Sequence, residues 1–131
     1  MIPTSYYSMK IYYSHAMPIY GTNQELNEKK QIMKKFPKST IVDPGTLQDN
    51  PEKQREGMEY CLRLVQTCQT LVFSKFNGKI TAGVGKEVNF ALKQKIDVFE
   101  LNGSELHKII KPVEYLSVMD TISLPGYFSN R

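Results

Sequence analysis

The residues best placed to do chemistry are concentrated in Thr81-Ala82-Gly83-Val84-Gly85-Lys86-Glu87, a run of small residues that opens a predicted helix and ends on a carboxylate. Val84, Val88, Ala91 and Leu92 recur at helical spacing, and Glu87 falls beside that apolar stripe rather than on the opposite face. Burial would raise the pKa of such a group and a helix N-terminus would lower it, so a half-buried Glu87 reads as a tuned acid. The plainer alternative is a first-turn glutamate that only complements the helix dipole. Thr81, Gly83 and Gly85 let backbone N–H groups approach an anion, and the dipole of the helix favours a phosphate there. A mononucleotide phosphate is the ligand this suggests. The spacing is not that of a P-loop, because no Gly-Lys-Ser/Thr follows, and three spaced glycines of a dinucleotide fingerprint are missing.

The elements that must position this segment alternate along the chain. Lys10 to Ser14 has the β-branched and aromatic bias of a strand, and His15 to Asn23 the Pro and Gly punctuation of a loop. Glu25 through Phe36 reads as a helix with Leu26, Ile32, Met33 and Phe36 as its apolar stripe, followed by a strand at Ser39 to Val42 that Asp43-Pro44-Gly45 ends. A single helix is predicted from about Glu52 to Thr67, with Met58, Cys61, Leu62 and Val65 on its buried face. Leu71-Val72-Phe73 is undiluted, as a central parallel strand should be, and Ile96 to Leu101 supplies a fourth strand. Ile109-Ile110 and Tyr115 to Val118 are the alternatives for a fifth. The pattern predicts an α/β fold, a three-layer α/β/α sandwich with a mostly parallel four- to five-stranded Rossmann-like (flavodoxin-like) sheet. One domain covers residues 1–131, with 103–131 as a C-terminal extension or fifth strand and tail. In such a sheet ligands bind beyond the carboxyl ends of the strands, where Tyr12 to Met17, the loop around Asp43 and Ser74 to Glu87 would meet.

Composition narrows the function classes. A chain of 131 residues, 40% hydrophobic, is the size of one domain with a sound core. No stretch approaches the roughly 20 apolar residues of a membrane span, and Met1 to Tyr7 lacks the basic start and hydrophobic middle of a signal peptide. A cytoplasmic protein without a membrane partner is expected. Cys61 and Cys68, about 10 Å apart along a helix, read as reduced, buried thiols. His15 and His107 stand alone in sequence and no paired Cys-x-x-Cys occurs, so no metal and no cofactor are assigned. The net charge of +4 and the lysines Lys29, Lys30, Lys34, Lys35 and Lys38 raise nucleic acid as a partner. Glu25 and Glu28 interrupt that run beside the apolar stripe, which favours a solvated helix face over a phosphate-tracking patch.

Lys10 to His15, Leu71-Val72-Phe73 and Thr81 to Glu87 with Ala91 together resemble the nucleoside 2-deoxyribosyltransferase superfamily, most of all its deoxynucleoside 5′-monophosphate N-glycosidase branch. The resemblance spans roughly residues 10–101. It implies that Glu87 is the nucleophile that forms a glycosyl ester, that Tyr12 orients it, and that Thr81, Gly83 and Gly85 hold the substrate phosphate. It also implies a nucleotide or nucleoside partner and a homodimer or higher homo-oligomer. The match departs at two places: Cys61 stands where the family carries an Asp that protonates the leaving base, and Gln69 where an Asp precedes the third strand. Glu59, two residues before Cys61, is turned about 200° away from it on a helix. An N-glycosidase or transferase is therefore the leading expectation, with a catalytically weak or inactive nucleotide-binding sensor as the alternative that Cys61 supports.

Smaller features are read beside these. His15 is a possible substrate contact from the first loop, and Tyr13 or Tyr20 could stack on a base. Asp43 is adequately explained as a turn starter, and Met33, Met58 and Cys61 as core fillers. The geometric expectation is a hydrogen bond between Tyr12 and Glu87 across one cleft, with Thr81 at its anion-binding end.

Overall fold

The computed structural model describes residues 9–128; the reading of Met1 to Tyr7 and the last residues of the tail lie outside them. The chain runs β1 (Met9–Ser14), α1 (Asn23–Lys35), β2 (Ser39–Val42), α2 (Pro51–Glu56), α3 (Met58–Gln66), β3 (Thr70–Phe73), α4 (Ala82–Lys93), β4 (Asp97–Asn102), β5 (Glu105–Ile109) and α5 (Val118–Ile122). It is an α/β fold. Five strands form one sheet in the order β2-β1-β3-β4-β5, parallel from β2 through β4, with β5 antiparallel at the edge.

The two-residue period of the strands divides the core. Tyr12, Leu71, Phe73 and Val98 pack with Val65 of α3 and with Val84, Val88 and Ala91 of α4. Their neighbours Ile11, Tyr13 and Val72, with Leu101, pack with Ile32 of α1 and with Phe36. β3 is buried at every position, which explains its unalternating apolar sequence. No helix among the described residues is long and apolar enough to cross a membrane.

Three expectations are corrected. The predicted helix from Glu52 to Thr67 is two helices broken at Gly57, whose φ of 57° and ψ of −120° suit a residue without Cβ. The fifth strand is Glu105–Ile109, not Tyr115 to Val118: Asn102 pairs with Glu105 across a two-residue Gly103-Ser104 turn, with Gly103 at φ 64°. In α1, Leu26 and Met33 are exposed, so Ile32 carries the inward contact and Met33 is no core filler. Both cysteines are free and buried.

Candidate functional site

The two-residue period of β1 places the side chains of Tyr12 and Ser14 on the face that α4 covers. Glu87, six residues into the α4 run, meets both. The Tyr12 hydroxyl donates to Glu87 Oε2 at 2.7 Å and Ser14 Oγ donates to Glu87 Oε1 at 2.6 Å. Tyr12 and Ser14 are fully buried and Glu87 is 6% exposed, deeper than half-buried. None of the ion pairs among the described residues involves Glu87. Burial pushes its pKa up, against hydrogen bonds from Ser14, Tyr12 and Cys61 and the more distant charge of Lys53. Tyr12 is raised in turn, chiefly by burial and then by the adjacent Glu87, so it stays a protonated donor.

Glu87 faces a cavity of about 230 Å³. Its wall includes His15 and Tyr20 from the loop after β1, Lys53 of α2, Met58 and Cys61 of α3, Thr81 and Gly83 at the start of α4, and Thr121 and Tyr127 from the C-terminal segment. Burial raises the Cys61 thiol, and the Glu87 charge raises it further. Glu59 is exposed and does not reach this space.

The anion-binding end differs in detail from the expectation. Thr81 is the N-cap residue of α4, yet its side chain caps nothing; the Ala82 N–H instead donates to Thr121 Oγ1 at 2.9 Å. Thr81 is 4% exposed and lines the cavity. Gly83 lies at the second helical position, where an amide has no intrahelical acceptor. Gly85 does not serve this end: its N–H donates to Thr81 O at 2.9 Å, and a Cβ there would lie 2.1 Å from Tyr115 Cγ. Its glycine is required by the close passage of residue 115 over α4, not by a ligand.

His15, read as a possible substrate contact, lines the cavity with both ring nitrogens already engaged. Its Nδ1 lies 3.0 Å from the Tyr13 carbonyl and its Nε2 2.7 Å from Glu25 Oε2, while the ring stacks on Tyr13 at 3.6 Å. The His15 side chain is fully buried. Tyr13 belongs to the other face of the sheet, where its hydroxyl and that of Ser74 donate to Glu28, so of the two stacking tyrosines only Tyr20 lines the cavity.

His15, Glu25 and Asp43 form the one side-chain group among the described residues whose donors, within 4.8 Å of one another, could surround a metal ion. Lys29 already supplies a cation there, 2.5 Å from Asp43 Oδ2 and 3.9 Å from Glu25 Oε1. Asp43 also accepts the Gly45 N–H at 2.7 Å, the turn role expected of it.

The sequence reading missed Ser14, Lys53, Thr121 and Tyr127. Ser14 was detectable, because it lies two residues beyond Tyr12 on a strand and so shares its face. The other three had no local signal. Comparison of the chain with family models, with curated proteins and with solved structures finds no match.

Proposed function

We propose that this chain cleaves or transfers the N-glycosidic bond of a nucleotide or 2′-deoxynucleoside, with Glu87 as nucleophile, in the manner of the nucleoside 2-deoxyribosyltransferase superfamily. One observation carries the reading. Glu87 is a buried carboxylate without a cationic partner, each of its oxygens takes a hydroxyl donor, and it sits on the wall of a cavity. A structural glutamate at such depth would ordinarily be paired with a cation. The hydroxyl of Thr81 and the Gly83 amide, at the positive end of the α4 dipole, suit the phosphate of a nucleoside monophosphate.

In this reading a Glu87 oxygen attacks the anomeric carbon as the base departs, forming a glycosyl ester that water or a second base then resolves. Tyr12 and Ser14 hold the carboxylate plane and stabilise its charge without neutralising it. The fold is read as a three-layer, flavodoxin-like sandwich of Rossmann-like topology. The order β2-β1-β3-β4-β5 and the apolar clusters on alternate strand positions support this, as does a cavity between the loops after β1 and β3. A homodimer or higher homo-oligomer belongs to the same reading.

The test is to incubate the protein with each deoxynucleoside monophosphate and follow free base by chromatography, alongside Glu87→Gln. Release by the native chain, abolished in the variant, supports the reading. Saturable nucleotide binding without release by either protein supports the sensor alternative, which the thiol of Cys61 in the cavity wall favours. Failure to bind any nucleotide overturns both.

A further inference from the structure

When a glycosidic C–N bond breaks, the bonding electron pair leaves with the base, and a base that departs unprotonated is a poor leaving group. A donor other than Glu87 is needed, because Glu87 is occupied at the anomeric carbon. The polar groups of the cavity wall can be taken in turn. Both nitrogens of His15 are engaged, by the Tyr13 carbonyl and Glu25. The Tyr12 proton is given to Glu87, and burial raises Tyr12 and Tyr20 beyond useful acidity. The Cys61 thiol is engaged by Glu87, to which it hydrogen-bonds, and burial raises it as well. Thr81 and Thr121 are alcohols, too weakly acidic to protonate a departing base, and Thr121 Oγ1 accepts the Ala82 N–H.

Lys53 remains. It is the one ammonium or guanidinium among the residues lining the cavity, and it is half-buried on the short helix α2. Nζ donates to Gln48 Oε1 at 2.9 Å, which uses one of its three protons. The Gly57 break separates α2 from α3, so Lys53 reaches the rim from a different element than Met58 and Cys61. Its charge is felt at the site, since it opposes the rise in both Glu87 and Cys61.

We propose that Lys53 is the acid for the departing base, an inference that rests on the reading of Glu87 as nucleophile. The C1′–O bond to Glu87 forms as the C1′–N bond breaks; the electron pair passes to the base nitrogen system, and a proton from Lys53 Nζ neutralises it. In the second step the neutral amine takes a proton from water as that water attacks C1′ and releases Glu87. Lys53 is thereby restored, and the products are free base and sugar.

The experiment compares Lys53→Met and Lys53→Arg with the native chain on two substrates: 2′-deoxyguanosine 5′-monophosphate and its 7-methyl derivative, whose base departs neutral without taking up a proton. Both variants are expected to lose roughly 10²-fold or more in release of guanine, the range of general-acid contributions, while release of 7-methylguanine stays within a few-fold. Arg keeps the charge but does not give up a proton, so rescue by Lys53→Arg overturns proton donation. Equal losses on both substrates, or none on either, also overturn it. If the native chain releases base in a Glu87-dependent way and these ratios still do not separate, the Lys53 proposal fails and the glycosidase reading stands. If neither substrate is cleaved by the native chain, the reading fails and this proposal with it. Circular dichroism and melting of both variants check that the half-exposed substitution leaves the fold intact.

Discussion

Replacing Glu87 by Gln should make the protein more stable and, in the proposed reading, inactive. The side chain is 6% exposed, and its pKa is raised above that of an ordinary carboxyl because burial outweighs the hydroxyl donors. A carboxyl raised on folding favours the protonated chain. Its contribution is therefore fully present below the unfolded pKa of about 4.3 and is lost as pH rises through the folded value. Gln is neutral throughout. It is also nearly isosteric, and the Ser14 and Tyr12 hydroxyls can rotate so that one donates to its carbonyl and the other accepts from its amide. The difference between Glu87→Gln and the native chain should be near zero at pH 4 and grow toward pH 8. Each unit by which the pKa is raised is worth about 1.4 kcal/mol, or about 5 °C of melting temperature for a chain of this size. Scanning calorimetry of both proteins at unit pH intervals measures this, and subtraction cancels every group they share. A difference independent of pH, or a variant that melts lower at pH 8, would refute a desolvated, unpaired carboxylate at this position.

Ser14→Ala removes the donor to Oε1, a hydrogen bond to a charged group worth about 1.5–3 kcal/mol. The loss should raise Glu87 further, so the acid limb of a pH profile for base release moves to higher pH while KM changes little. Gly85→Ala places a Cβ 2.1 Å from Tyr115 Cγ and should cost about 1–3 kcal/mol, whereas the Cβ of Gly83→Ala meets Met58 Cε at 3.6 Å, ordinary contact, and should be neutral or stabilising by up to about 1 kcal/mol. Urea denaturation of the two variants reads the contrast. Thr121→Val leaves the buried Ala82 N–H without its acceptor, an expected loss of about 1–3 kcal/mol by the same method.

Much of the fold was legible because periodicity is local. Leu71-Val72-Phe73 could be read as a central strand from its lack of alternation, and Val84, Val88 and Ala91 as an inward stripe from their spacing. The pairing of Tyr12 with Glu87 came from a motif likeness, and 75 residues separate the two in sequence. Where the reading erred, a single backbone choice decided the matter. Met58 to Val65 carry a helical stripe, and Glu52 to Glu56 before it are polar helix formers with no stripe to interrupt, so nothing in that spacing reveals that Gly57 has left helical space. The β4–β5 turn lies in Gly103-Ser104, but Glu105–Ile109 is an edge strand that is largely exposed, so its apolar signal is confined to Leu106 and Ile109. Gly85 was assigned to a ligand because glycine permits close approach; what approaches is Tyr115, 30 residues later. Thr121 and Tyr127 reach the cavity from a segment with no periodic signal, so only the folded chain reveals them.

The donors chosen for Glu87 bear on what the site can do. A lysine or arginine beside a buried carboxylate would repay its desolvation more fully, but it would also lower the energy of the anion and take up the lone pairs a nucleophile must use. The cationic groups near this region are placed otherwise. Lys29 is bound by Asp43 and Glu25 beyond the ring of His15, and Lys53 stands on the rim, held by Gln48. Tyr12 and Ser14 instead give one neutral hydrogen bond to each oxygen, enough to fix the carboxylate plane while leaving its charge in place. The two carboxylate oxygens have four lone-pair directions between them, and with the Cys61 thiol as a third donor one of the four remains open. A carboxylate that is oriented, charged and only partly satisfied is less stable than a paired one. In the proposed reading that deficit is what would make it reactive toward an electrophilic carbon, and it is the same deficit that the Gln substitution removes.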